Sequence, residues 1–167
     1  MTTRQRKFHA GERPGTYRVD SVVTDDDILA MAREIARKRL SRGALLDGAR
    51  PAKQFIEPLL RHHEQEVFGV VFLDTRNRVI AFKEMFRGTL DGASVYPREV
   101  VKLALSLNAG AVIFAHNHPS GDGQPSGADV RLTERLKSAL SLVDVRALDH
   151  IVVGVESTVS MVEAGLI

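Results

Sequence analysis

Two unbroken apolar runs stand out along the chain, Val67-Phe68-Gly69-Val70-Val71-Phe72-Leu73 and Ala111 to Ala115. A run without polar alternation marks a strand covered on both faces, so each predicts a buried strand. Asp74-Thr75-Arg76-Asn77 reads as a turn, and Val79 to Phe86 as the antiparallel partner of the first run. Further strands are expected over Leu148 to Val155 and around Val159 to Met161.

Elsewhere the apolar residues recur at helical spacing. Thr24-Asp25-Asp26-Asp27 has the form of a helix start, with a capping hydroxyl and carboxylates in the first turn. Ile28, Met31, Ala32, Ile35, Ala36 and Leu40 follow on one face, with Arg37, Lys38 and Arg39 mostly elsewhere and Gly43 as a stop. A second helix begins near Pro51 with Ala52, Phe55, Ile56, Leu59 and Leu60 on its apolar side; Pro58 predicts a kink or an early end. Tyr96-Pro97-Arg98-Glu99 opens a third, lined by Val100, Val101, Ala104, Leu105 and Leu107. Ser126 opens a fourth, with Val130, Leu132, Leu136, Ala139, Leu140 and Val143 inward. Helices alternating with doubly covered strands predict an α/β fold, a mixed sheet between helical layers. Residues 1–22 show no sustained apolar period and read as a flexible or loosely docked basic arm, 23–50 as an amphipathic helix with a linker, and 51–167 as the main domain.

At 167 residues the chain suits one core. It has no cysteine, which excludes disulfides, Cys-rich zinc sites and thiol nucleophiles, so any metal must be held by nitrogen and oxygen. That composition fits a cytoplasmic protein, and no apolar run approaches the roughly 20 residues needed to cross a membrane. The net charge of +2 hides a basic front: residues 1–62 carry 13 Lys+Arg against 8 Asp+Glu. Phosphate neutralisation by nucleic acid would suit it, and so would a solvated tail with a charged helix face.

The candidate chemistry lies in HNHPSGDGQPSGAD, His116 to Asp129. In extended chain His116 and His118 point the same way and can share one ion, while Asn117 points opposite. Asp129, in the first turn of the following helix, can face the strand end as a third ligand. Two imidazoles and a carboxylate leave an open fourth position, the arrangement of catalytic zinc. The general base such a centre needs is sought at Glu64 or Glu66, both just ahead of a buried strand. Ser126-Gly127-Ala128-Asp129 also has the form of a capping box, which is compatible with a hydroxyl near a developing oxyanion. His150 reads as a structural histidine paired with its neighbours, the alternative being a contact to a metal ligand or to substrate near the end of its strand; His9, His62 and His63 are expected to be solvated.

The spacing of His116, His118, Ser126 and Asp129, H-x-H-x7-S-x2-D, resembles the JAMM motif of the JAB/MPN metallopeptidases. GTLDGASVYPREVVKLALSLNAGAVIFAHNHPSGD (88–122), LDHIVVG (148–154) and the ending MVEAGLI resemble the RadC-like branch. The resemblance covers about residues 51–167. It implies the cytidine-deaminase-like α/β/α sandwich and one zinc ion on His116, His118 and Asp129. It also implies a Ser126 hydroxyl that stabilises the tetrahedral intermediate, and a catalytic glutamate two residues ahead of an aromatic, which matches Glu66-Val67-Phe68. Asn117 stands where deubiquitinating branches carry Ser or Thr, and residues 1–50 do not resemble the helix-hairpin-helix region of longer RadC-like proteins. Deamination is excluded, since its H-x-E and P-C-x-x-C signatures are missing. The leading expectation is a zinc-dependent hydrolase of amide bonds in a peptide or protein substrate; the alternative is a nucleic-acid-associated accessory protein with a structural or vestigial metal site.

Overall fold

The computed structural model describes residues 7–167 except 14, 42, 89–94 and 120, and for 37–41 the backbone only. In chain order the elements are β1 (Phe8–Ala10), β2 (Tyr17–Val19), α1 (Asp25–Ser41), α2 (Ala49–Leu60), β3 (Val67–Leu73), β4 (Val79–Arg87), α3 (Pro97–Ser106), β5 (Ala111–Asn117), α4 (Gly127–Ser141), β6 (Arg146–Val153) and β7 (Thr158–Ser160). The main sheet runs β4-β3-β5-β6-β7, with β5 and β6 parallel and the other neighbours antiparallel. It is the mixed α/β arrangement that the patterning predicts. None of the described helices is long and apolar enough to cross a membrane.

Alternation along β3 and β5 splits the core in two. Val71, Leu73, Ile113 and Ala115 pack with Phe55, Ile56 and Leu60 of α2 on one face. Phe68, Val70, Phe72, Val112 and Phe114 pack with Val100 and Ala104 of α3 and Leu132, Leu136 and Leu140 of α4 on the other. Every residue of β3 and of β5 is buried. Each large apolar side chain so covered stabilises the fold by roughly 1.5–3 kcal/mol relative to exposure, which anchors these two strands between the layers.

Several expectations change. The arm contains a hairpin in which Phe8–Ala10 pairs with Tyr17–Val19; three-residue strands are too short to leave a readable alternation. Arg4 and Arg6 lie outside the described residues, as do the side chains of Arg37, Lys38 and Arg39. Pro58 falls in the last turn of α2, which runs two residues further to Leu60, with Arg61 N donating to Glu57 O. Ile28 and Leu105 are exposed. Ala32, Ile35 and Ala36 of α1 line one small cavity with Phe55 and Pro58 of α2, and Ile28 is not among its lining residues. Leu105 lies on the flank of a short helix whose buried stripe is Val100 and Ala104. His62 and His63 are not freely solvated: they line a cleft of about 390 Å³ with Arg33, Phe82, Lys83 and Glu84. Both ring nitrogens of His62 are covered and unpartnered among the described residues. Burial, then the charge of Arg33, pushes its pKa down to about 4, and burial lowers that of His63 as well. The local sequence Arg61-His62-His63-Glu64-Gln65 is wholly polar, so only tertiary placement covers these rings.

The loop leaving β5 rests on the β6–β7 turn. His118 N donates to Val153 O at 2.9 Å, Gly121 N to His118 O at 3.1 Å, and Val155 N to Gly121 O at 3.1 Å. This close approach needs a glycine at 154, where a Cβ would lie 2.5 Å from Gly123 N and 2.7 Å from Gly121 O. Both obstacles are backbone, so the loop itself would have to move. Gly154→Ala is expected to destabilise the protein by about 1–3 kcal/mol, measured by denaturant unfolding.

At the front, Thr24 and Asp27 cap α1 reciprocally, and Lys7 Nζ lies 2.6 Å from Asp27 Oδ2. The bond from Lys7, then those from Thr24, lower the Asp27 pKa from 3.8 to about 2. A carboxylate with a depressed folded-state pKa contributes stability above its unfolded value, and that contribution is lost as pH falls through the folded one. The difference in melting temperature between wild type and Asp27→Asn is therefore expected to be full at pH 5 and to shrink between about pH 4 and pH 2. Melts across that range check it.

Candidate metal centre

Strand alternation and one helix start build the site. β5 is paired on both edges, to β3 with Phe68 opposite His116 and to β6 with Val152 opposite His116. His116 therefore points to the α3/α4 face and Asn117 to the α2 face. Continuing the β3–β5 register past the strand ends sets Glu66 opposite His118. Ligand atoms of Glu66, His116 and His118 all lie within 4.8 Å of one another, a cluster that could hold a metal ion.

Asp129 enters from the first turn of α4. Its Oδ2 accepts from Ser126 N and Ser126 Oγ, both at 2.7 Å, while Asp129 N donates to Ser126 Oγ at 3.2 Å. The capping box is thus formed, and it aims the other side of the carboxylate at the histidines. Asp129 Oδ1 lies 3.4 Å from His116 Nε2, and Oδ2 lies 3.7 Å from His118 Nε2. Burial works against ionisation of Asp129, but the neighbouring His116 imidazole and the bonds from Ser126 outweigh it and hold the pKa well below the usual carboxylate range.

The donor atoms fit a cation. His118 Nδ1 lies 2.7 Å from the carbonyl of Asp122. A carbonyl only accepts, so Nδ1 carries the proton of the neutral ring and Nε2 presents a lone pair. That lone pair faces His116 Nε2 at 2.9 Å and an ionised carboxylate. Tetrahedral zinc with nitrogen ligands about 2.0–2.1 Å away would separate its ligand atoms by ~3.3 Å, the scale found here among His116, His118 and Asp129. Glu66 belongs to the same cluster from across the β3–β5 pair.

Two supports flank the site, and the sequence reading missed the partners of the first. Asn117 Oδ1 accepts from Val67 N at 2.8 Å, and its Nδ2 donates to the carbonyls of His63 and Gln65 at 3.2 and 3.1 Å. It staples the segment that carries Glu66 to the strand that carries the histidines. The H-x-H spacing shows that Asn117 faces away from its neighbours, but its partners lie about fifty positions upstream. Behind His116 sits His150, fully buried, with Nε2 at 2.8 Å from His116 Nδ1 and Nδ1 at 2.6 Å from Thr133 Oγ1. His150 is the paired structural histidine expected. Thr133 reads in the sequence only as a polar residue on an apolar helix face.

A family model described as the RadC-like JAB domain matches residues 46–166. A UPF0758 protein of Cellvibrio japonicus is 55% identical over 138 residues, 83% of this chain and 62% of its own length. A UPF0758 protein of Vibrio cholerae is 56% identical over 138 residues, covering 87% of its length, and another from that organism is 52% identical over 149 residues, covering 94%. The chain thus spans 62% of the Cellvibrio relative and nearly all of the second Vibrio one. With the match extending over the whole sheet and every residue of the candidate centre, the chain belongs to the RadC-like JAB domain family.

Proposed function

We propose that the protein is a zinc-dependent hydrolase of amide bonds, peptide or isopeptide, in which His116, His118 and Asp129 hold the ion. The observation that carries this reading is the convergence of two imidazole Nε2 atoms 2.9 Å apart on an ionised carboxylate, with His118 Nδ1 already committed to a carbonyl. Asp129 is the third ligand because its oxygens stand 3.4 and 3.7 Å from those nitrogens, close to a tetrahedral edge. When bound, zinc supplies a Lewis acid and lowers the pKa of water from 15.7 to about 7.

The chain's own groups do the rest. Glu66, across the strand pair from His118, takes the proton of the attacking water and returns it to the leaving amine. Ser126 is exposed at the N-terminus of α4, where its hydroxyl and the helix dipole favour negative charge. It turns from Asp129 to the oxygen of the substrate carbonyl as charge develops there. Asn117 holds Glu66 in register by fixing the backbone at 63, 65 and 67.

Glu66→Gln is expected to lower kcat by about 10²–10⁴-fold while one zinc per chain remains bound, measured by turnover of a peptide library beside elemental analysis. Turnover equal to wild type, or a zinc-loaded wild type inert to the whole library, defeats the hydrolase reading. Asn117→Ala is expected to lower kcat by about 10²-fold through misplacement of Glu66, again with zinc retained because no ligand has changed. Loss of zinc in step with activity would assign Asn117 to the ligand strand instead.

A further inference from the structure

The contacts behind His116 determine which of its nitrogens carries the proton. Thr133 Oγ1 makes two short contacts, to Asp129 O at 2.6 Å and to His150 Nδ1 at 2.6 Å. Heavy atoms this close require a proton between them, unless a cation is to stand between two lone pairs, as the candidate centre would have it for the two Nε2 atoms of His116 and His118. The carbonyl has none to give, so the single hydroxyl proton lies toward Asp129 O, and the proton of the second contact comes from His150 Nδ1. A neutral imidazole carries one N–H, which leaves His150 Nε2 as an acceptor. Its partner at 2.8 Å is His116 Nδ1, which must then be the donor. His116 Nε2 is left with a lone pair, pointing at His118 and Asp129.

We propose that Thr133 and His150 are positioning residues that set His116 in its Nδ1–H tautomer, so that Nε2 faces the candidate centre as a ready metal ligand. This deepens the metal reading and rests on it. The relay starts from Asp129's own carbonyl, so the residue that supplies the carboxylate also orients the far side of the first histidine. Thr133, His116 and His150 are all fully buried, so bulk water does not replace a lost member. The His150 ring is also clamped edge-on between Phe68 and Phe114, at centroid distances of 5.7 and 5.8 Å, which leaves hydrogen bonding rather than rotation to distinguish its two nitrogens.

The test compares wild type, Thr133→Val and Thr133→Ser. Valine keeps the shape and removes the hydroxyl; serine keeps the hydroxyl. In chelator-treated protein at pH 8, long-range ¹⁵N–¹H spectra of the imidazoles are expected to show Nδ1–H for both His116 and His150 in wild type and in Thr133→Ser. In Thr133→Val both are expected to move to Nε2–H. Zinc affinity, measured by competition with a chromogenic chelator, is expected to fall about 10–100-fold in Thr133→Val and to stay near wild type in Thr133→Ser. Near-UV circular dichroism verifies that each variant is folded. A wild-type His116 protonated on Nε2, or a folded Thr133→Val with unchanged tautomers and zinc affinity, overturns the proposal. Wild type with the expected tautomers but no zinc binding overturns the metal reading and upholds the relay.

Discussion

A strand paired on both edges and covered on both faces has no freedom to choose where its side chains point. β5 is in that position, between β3 and β6 and between two helical layers. Its alternation sends Val112, Phe114 and His116 to one face and Ile113, Ala115 and Asn117 to the other. The apolar members anchor the strand, and the polar members at its C-terminal end inherit that rigidity. His116 is therefore buried as fully as a core phenylalanine, although it lies in the cluster that could hold a metal ion. Burying an imidazole is tolerable only because each nitrogen has a designated partner, His150 on one side and the candidate centre on the other.

The second constraint is the start of α4. The capping box fixes Ser126 and Asp129 relative to each other, and the helix is fixed to the sheet by Leu132, Leu136 and Leu140. The carboxylate thus reaches the histidines from a rigid element rather than from a loop tip. One carboxylate caps the helix backbone and faces both histidines, so ordering the helix and assembling the centre are a single event.

Much of this was legible beforehand. The runs at β3 and β5 contain no polar interruption, and such runs admit few readings other than doubly covered strands. The spacing of His116, His118, Ser126 and Asp129 places two residues on a strand face and two on a helix start by local geometry alone. What could not be read were relations between distant elements. The side of the chain to which Asn117 turns follows from its neighbours, but the carbonyls it binds belong to residues 63 and 65. His62 and His63 sit in a polar stretch and are covered only because Arg33 and Phe82 arrive from other elements. Leu105 and Ile28 show the converse: apolar residues in helical register stay exposed where the partner surface ends. Local periodicity reports what a segment could bury, and the extent of its partner determines what it does bury.

The β6–β7 turn has a consequence for the order in which the protein is made. His116 and His118 leave the ribosome well before His150, which orients His116, and before the turn at 154–157 on which the loop after His118 is seated. A nascent chain ending short of residue 150 carries both histidines without the ring behind the first or the floor beneath the second. The arrangement of the candidate centre thus waits on residues 150–157. Until residues 150–157 are in place, the two histidines lack the contacts that hold them at the candidate centre.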